Sequence, residues 1–421
     1  MRSSTLVLLG SLLAAACRSV DPLPPSASAP TIEVVGARAT AVGSGMSSWS
    51  FLPGTMRLLG DGGHAEDLRL VGVEELLEQN LVVATVDPAS VVWRRKAGFM
   101  DGRRSSVMGL APIADRDSTQ RVLLVGVIEG TTGAFELDVG ARTVHQIGPN
   151  DKACLPFLDG PLEEFEDLNG DGRREFVATF RGDELLFVDP SSGAVLRSSP
   201  LSLTNATVSR LERVGVWGGG RGSGLAFAAT NWTGEPASTL LGVVWPFSDQ
   251  AGWRISFPMK SRYGLNVDLL RLVDLDGDDV EELVIDADLR GVQPAEPARV
   301  SCVSSRTGKL LWSTAVCDAT LGLWSRMCLI DDRDGDGLRD VLVARQGGPP
   351  QHPFVVLSAR DGRVLGSVAA PPEASSELGA ELDSALGRDM AGELRCFVAA
   401  GDPREHDDGV VWLLKLEPPQ R

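Results

Sequence analysis

Short apolar runs recur along this chain, each closed by glycine, aspartate or proline. Phe176-Val177-Ala178-Thr179, Leu283-Val284-Ile285 and Val341-Leu342-Val343 are typical. Runs of this length bounded by turn signals predict strands. Helical spacing appears only in Val73-Glu74-Glu75-Leu76-Leu77-Glu78-Gln79, which is too short to change the class. The 47 glycines and 25 prolines fit a chain full of tight turns.

Three of the runs follow an acidic nonapeptide. These are Asp167-Leu168-Asn169-Gly170-Asp171-Gly172-Arg173-Arg174-Glu175, Asp274-Leu275-Asp276-Gly277-Asp278-Asp279-Val280-Glu281-Glu282 and Asp332-Arg333-Asp334-Gly335-Asp336-Gly337-Leu338-Arg339-Asp340. Their first positions lie 107 and 58 residues apart, so the longer interval predicts a missing copy between the first two. Gly215 to Ser223 fills that place, with Gly215, Trp217 and Gly219 where acids belong. Weaker copies at Asp61, Asp115 and Asp389 extend the series, with starts near 57, 115, 167, 215, 274, 332 and 388. About twenty residues after each clear loop comes a glycine hairpin, as in Asp189-Pro190-Ser191-Ser192-Gly193, Ser304-Ser305-Arg306-Thr307-Gly308 and Ser358-Ala359-Arg360-Asp361-Gly362. One unit therefore reads strand, acidic loop, strand, link, strand, glycine turn, strand.

Four antiparallel strands per unit make a propeller blade. The predicted fold is all-β, a seven-bladed β-propeller of four-stranded antiparallel blades with calcium-binding loops, over residues 31–421; the period alone allows six to eight blades. The last unit ends at Val410-Val411-Trp412-Leu413-Leu414-Lys415, one strand short. Thr31-Ile32-Glu33-Val34-Val35 is expected to supply that strand and clasp the ring.

Carboxylates crowded this closely repel one another unless a hard cation lies among them. The predicted calcium ligands are side chains at loop positions 1, 3, 5 and 9 and the carbonyl at position 7. They are Asp167, Asn169, Asp171, Arg173 (carbonyl) and Glu175; then Asp274, Asp276, Asp278, Val280 (carbonyl) and Glu282; then Asp332, Asp334, Asp336, Leu338 (carbonyl) and Asp340. Position 12 is Ala178, Ile285 or Val343, inside a strand, which excludes the bidentate glutamate of an EF-hand. About three Ca²⁺ sites follow, structural in role, because no His, Ser or Lys constellation adjoins them. Asp279 stands where the other two loops have glycine, and aspartate tolerates the positive φ required there better than most residues.

The formal net charge of −17 argues against nucleic acid as a partner. Four separated histidines, His64, His145, His352 and His406, offer no zinc spacing. Residues 1–17 read as an export signal: Arg2, an apolar run from Leu6 to Ala16, and Ala14-Ala15-Ala16-Cys17 at its end. That ending resembles a bacterial lipobox, which implies lipidation of Cys17; a plain secretory signal is the alternative. Residues 18–30 form a Pro/Ser/Ala-rich tether. Cys154, Cys302, Cys317, Cys328 and Cys396 remain, an odd number whose pairing stays open and which reads best as small buried apolar groups.

The acidic loop running into a strand resembles the FG-GAP, or integrin-α-like, repeat. Phe397-Val398-Ala399-Ala400-Gly401-Asp402-Pro403 followed by Gly409-Val410-Val411-Trp412 is similar to that repeat's terminal pattern. The resemblance implies a calcium-binding propeller and leaves the partner open. The expected function is a binding, scaffold or adhesion module exported to a bacterial cell surface or periplasm. It would touch membrane only through a lipid at Cys17, act as a monomer, and take a protein or carbohydrate ligand. No catalytic residue is assigned. The alternative is an exported enzyme on the same scaffold, a polysaccharide lyase, hydrolase or quinoprotein; Thr307-Gly308-Lys309-Leu310-Leu311-Trp312 resembles the quinoprotein turn, in one copy only. Tryptophans are expected mainly in blade packing, with Trp232, Trp245 and Trp253 of the fourth unit the first place to look for an aromatic grip.

Overall fold

The computed structural model describes twenty-nine strands, β1 to β29, within the compact unit Glu33–Arg421. It also describes residues 56, 60, 67–68, 139–142, 165–175, 189–190, 192–194, 201–203, 215, 222–223, 245–248, 252, 267–268, 273–281, 286, 304–309, 330–340, 353, 358–363, 369 and 417. The export signal, Cys17 and the tether therefore lie outside the described residues, as do Cys154, Trp232, His64, His352, His406 and the weak loops at Asp61, Asp115 and Asp389.

Two short strands, β1 (Glu33–Val35) and β2 (Ala37–Val42), come first. Sheet 1 holds β3 (Arg57–Leu59), β4 (Arg69–Glu75), β5 (Gln79–Val86) and β6 (Ala89–Lys96). Sheet 2 holds β7 (Val107–Ile113), β8 (Arg121–Ile128), β9 (Thr131–Asp138) and β10 (Thr143–Ile147). Sheet 3 is β11 (Leu158–Glu164), β12 (Phe176–Phe180), β13 (Glu184–Val188) and β14 (Val195–Pro200). Sheet 4 is β15 (Ala206–Val214), β16 (Gly224–Asn231), β17 (Ser238–Val244) and β18 (Trp253–Pro258). Sheet 5 is β19 (Leu269–Leu272), β20 (Glu282–Ile285), β21 (Ala298–Val303) and β22 (Leu310–Cys317). Sheet 6 contains β23 (Ser325–Leu329), β24 (Val341–Arg345), β25 (Phe354–Leu357) and β26 (Val364–Val368). Sheet 7 contains β27 (Leu382–Arg388), β28 (Leu394–Asp402) and β29 (Val410–Leu416), completed by β2.

The first strands of the sheets, β3, β7, β11, β15, β19, β23 and β27, each touch the next, and β27 touches β3. This is a β-propeller with four-stranded antiparallel blades. Six sheets have that form, not the expected seven: sheet 6 has five strands, because β1 adds to β26 in parallel, Glu33 opposite Gly366 and Val35 opposite Val368. The clasp also differs from expectation. The strand that completes sheet 7 is Ala37–Val42, paired from Ala37↔Leu416 to Val42↔Val411, while Glu33–Val35 continues onto the neighbouring sheet. Both outer edges thereby gain hydrogen-bonding partners. The described residues of the heptapeptide at Val73 are strand, not helix: Val73–Glu75 end β4 and Gln79 begins β5, with Glu74 opposite Asn80 and Glu75 opposite Gln79. Ladder pairing overrides its local spacing.

Continuous apolar runs make sense once the packing is seen. In β13, Leu185 and Phe187 pack toward sheet 4, whereas Leu186 and Val188 pack toward sheet 2. β24 divides likewise, Val341 and Val343 against sheet 5, Leu342 and Ala344 against sheet 7. A strand buried on both faces has no polar face to alternate. Each hydrophobic cluster among the described residues joins two successive sheets, and the one containing Met56, Leu70, Ala385 and Val411 joins sheets 1 and 7. Phe165, Phe187 and Phe247 meet edge to face at 4.7–6.0 Å in the contact between sheets 3 and 4.

Tryptophans lock neighbouring sheets. Trp253 donates from Nε1 to Ser305 O at 2.7 Å, and Trp312 donates to Ala359 O at 3.0 Å. Each indole lies on the glycine of the next sheet's hairpin, where a Cβ on Gly308 or Gly362 would sit 2.8 or 2.5 Å from it. Both glycines also have positive φ, 71° and 72°. The buried Trp245 and the docked Trp253 are therefore committed to packing, which removes two of the three residues expected for an aromatic grip.

Deleting residues 33–42 is expected to leave β29 an open edge and to lower the thermal midpoint by several degrees, with increased aggregation. Circular dichroism melts on both chains check this; equal midpoints would sink the clasp.

Candidate metal centre

The three acidic loops occupy the same place, between the first and second strands of sheets 3, 5 and 6, and repeat one backbone. Position 4 is glycine at φ 80°, 80° and 79°, and position 6 is Gly172 at 87°, Asp279 at 65° and Gly337 at 88°. Asp279 adopts the left-handed conformation its position demands. Position 1 spans the turn: its Oδ1 accepts from the position 4 N–H at 2.6–2.7 Å, and its Oδ2 accepts from position 6 at 2.8–2.9 Å. At position 5, Asp171, Asp278 and Asp336 accept from the N–H groups of Arg173, Val280 and Leu338 at 2.8–3.0 Å. These bonds hold the residues whose carbonyls are the predicted ligands.

Position 9 is the buried anchor. Glu175, Glu282 and Asp340 are all fully buried. Each accepts from the position 2 N–H, of Leu168 at 2.6 Å, Leu275 at 3.4 Å and Arg333 at 2.7 Å. In sheets 5 and 6 the other oxygen meets the glycine hairpin of the same sheet. Glu282 accepts there from Ser305 N–H at 3.1 Å and Asp340 from Ala359 N–H at 3.3 Å. The matching residue in sheet 3 is Pro190, which has no N–H, and Glu175 Oε1 is buried without a hydrogen-bond partner. Burial raises all three carboxyls, Glu282 and Asp340 to about 7. A cation alongside would favour the charged form.

Carboxylate oxygens of Asp274, Asp276 and Glu282 lie within 4.8 Å of one another, as do those of Asp332, Asp334 and Asp340. Each group can hold a metal ion. Asp278 and Asp336 stand outside these groups, and Asp336 Oδ2 instead accepts from Arg360 Nε at 2.7 Å. The first loop, with Asn169 at position 3, makes no such three-acid group, yet Asp167, Asn169, Asp171 and Glu175 follow the same curve. The donor set, all oxygen and mostly carboxylate, suits a hard cation such as Ca²⁺, and the orphaned Glu175 oxygen fits the same demand.

The described ends of the eroded fourth loop, Gly215 and Gly222-Ser223, are held differently. Glu166, beside the first acidic loop, accepts from Gly222 N–H, Ser223 N–H and Ser223 Oγ at 3.3, 2.8 and 2.6 Å. From the other side Glu281 accepts from Gly215 N–H at 2.6 Å.

A second group of ionisable side chains lies on the first strands, toward the axis. Arg271 Nε stands 3.9 Å from Glu212 and 3.6 Å from Glu281. Asp268 lies 3.4 Å from Arg210 and 3.5 Å from Arg326 and accepts from Met327 N–H at 2.8 Å. Burial, and next the Glu212 charge, pushes Glu163 up to about 8; burial also pushes Glu212 up to about 7, with Arg271 and Arg57 opposing. These residues belong to no motif in the sequence. Their only signal is charge inside an apolar strand, and it does not say that different strands meet at the axis. The described histidine, His145, sits exposed on β10, away from this group. Cys302, Cys328 and Cys396 are free and buried, as expected of small apolar groups.

No protein-family model matches the chain, and no curated protein matches it. Among solved structures, BBS1N in complex with ARL6DN, soaked with mercury, is 12% identical with a TM-score of 0.50, covering 87% of this chain and 92% of that one. BamB from Moraxella catarrhalis is 10% identical with a TM-score of 0.39, covering 87% of this chain and all of that one. The first likeness shows a shared β-propeller fold and nothing finer.

The axial carboxyls generate a pH dependence. Their folded values near 8 and 7 exceed the ordinary 4.5, so the folded chain binds more protons between these limits. Stability from this source is full below about pH 4.5 and is lost as pH rises through 7 to 8. Glu163→Gln should therefore raise the thermal midpoint at pH 8.5 more than at pH 5, in chelator throughout. An equal shift at both pH values would refute the assignment.

Proposed function

We propose that this chain is an exported, calcium-stabilised β-propeller of FG-GAP type that serves as a binding scaffold for a protein or carbohydrate. The observation that carries it is the recurrence of one loop geometry in sheets 3, 5 and 6, each with a buried position 9 carboxylate, which in sheets 5 and 6 ties loop to hairpin. On this reading the five-stranded sheet counts as a seventh blade, Cys17 carries the lipid anchor, and about three Ca²⁺ ions brace turns rather than perform chemistry. The ligands are Asp167, Asn169, Asp171, Arg173 and Glu175, with their counterparts in the other two loops. The fold-level relative BBS1N is known in complex with ARL6DN, which supports protein recognition as one use of such a scaffold. The axial pair Glu163 and Glu212 favours a second reading, an exported enzyme whose chemistry lies at the axis.

Calcium at a hundredfold excess over its Kd is expected to stabilise the fold by about 2.7 kcal/mol per site. Thermal melts in CaCl₂ and in EDTA check this, and identical midpoints would remove structural calcium from the reading. Glycan and protein arrays probed under both conditions separate scaffold from enzyme: calcium-dependent capture without turnover supports the scaffold, and turnover abolished by Glu163→Gln supports the enzyme.

A further inference from the structure

The glycine hairpin of each sheet differs in what it offers its acidic loop. In sheet 3 it offers nothing to Glu175 Oε1, because Pro190 replaces the donor found in the other two. In sheet 5, Ser305 N–H satisfies Glu282, and Arg306 Nη1 donates at 2.8 Å to the carbonyl of Asp278, leaving the carboxylates of that loop clear. In sheet 6, Ala359 N–H satisfies Asp340 and two guanidinium groups reach predicted ligand carboxylates. Arg360 Nε donates to Asp336 Oδ2 at 2.7 Å and Arg363 Nη2 donates to Asp334 Oδ2 at 3.2 Å. The corresponding hairpin residues in sheet 3 are Ser191 and Ala194. Among the described residues no arginine is paired with Asp167, Asp171 or Glu175.

We infer that the hairpins grade the three loops in their need for a cation. The loop at Asp167 depends on the ion for its structure. The loop at Asp332 carries its own stand-in, Arg360 and Arg363, and so keeps its shape without the ion and binds it more weakly than the loop at Asp274, which has carboxylates at the same four positions. This rests on the calcium reading above. Each arginine places a positive charge within several ångströms of the incoming cation, which in a water-like dielectric weakens binding roughly tenfold per arginine. Both arginines are 60% exposed, so swinging out to admit the ion costs little packing. Withdrawal of calcium should therefore loosen sheet 3 first and leave sheet 6 held.

Hydrogen–deuterium exchange with and without EDTA reads each loop separately, and calorimetric titration with CaCl₂ gives the affinities. EDTA is expected to deprotect 165–180 most and 330–345 least. Arg360→Ala/Arg363→Ala should tighten the weakest calcium step at least tenfold and make 330–345 sensitive to EDTA. Pro190→Ser and Pro190→Ala each return an N–H to Glu175 and should shrink the response of 165–180. A larger EDTA response at 330–345 than at 165–180, or unaltered calcium affinity in the arginine variant, overturns the inference while leaving calcium binding intact. A wild-type chain that takes up no calcium overturns the calcium reading and this one with it.

Discussion

Among the described residues, the middle of every sheet holds a strand buried on both faces, and the architecture follows from that. A sheet with apolar side chains on both sides cannot stand alone in water, nor end a row, without exposing one face. Phe187 and Val188 are adjacent in sequence but lie in different interfaces, one shared with sheet 4 and the other with sheet 2. Only a closed ring gives every sheet two neighbours. The cluster of Met56, Leu70, Ala385 and Val411 is what closure looks like in side chains, and the pairing of β2 with β29 is what it looks like in backbone.

Closure by hydrophobic contact leaves a polar problem at the loops, where the chain crosses from first strand to second with its N–H groups turned inward. Position 1 aspartate satisfies two of them and position 9 carboxylate a third. Burying position 9 costs desolvation unless both its oxygens are met. The hairpin at the far end of the same sheet meets one of them in sheets 5 and 6, so loop and hairpin, remote in sequence, act as one polar joint. Trp253 and Trp312 then dock on the outside of these hairpins, so the joint within one sheet also becomes the seat for its neighbour.

Much of this was legible in the residues. The phase of the acidic nonapeptides and their weaker copies, the glycine turns and the short apolar runs gave one strand-rich unit for each of the seven sheets. Three things were not. The clasp fell at Ala37–Val42 rather than Thr31–Val35, because either segment has strand-like composition and only the geometry of the open edge selects between them. The arginines Arg360 and Arg363 gave no signal as partners of Asp336 and Asp334, since nothing in a linear chain says that a hairpin folds back over a loop some twenty residues earlier. The Glu163 and Glu212 pair was hidden for a similar reason: strands β11 and β15 converge only when the ring forms.

The fourth sheet shows how far the acidic loop is needed at all. Its own acids are gone, yet Glu166 from the preceding loop and Glu281 from the following one reach over and accept its N–H groups. Glu166 stands immediately before the nonapeptide at Asp167, and Glu281 is position 8 of the nonapeptide at Asp274. An intact loop thus stabilises its neighbour as well as its own sheet. The stretch from Gly215 to Ser223 lies between two intact loops, whose neighbouring glutamates accept the N–H groups at its two ends.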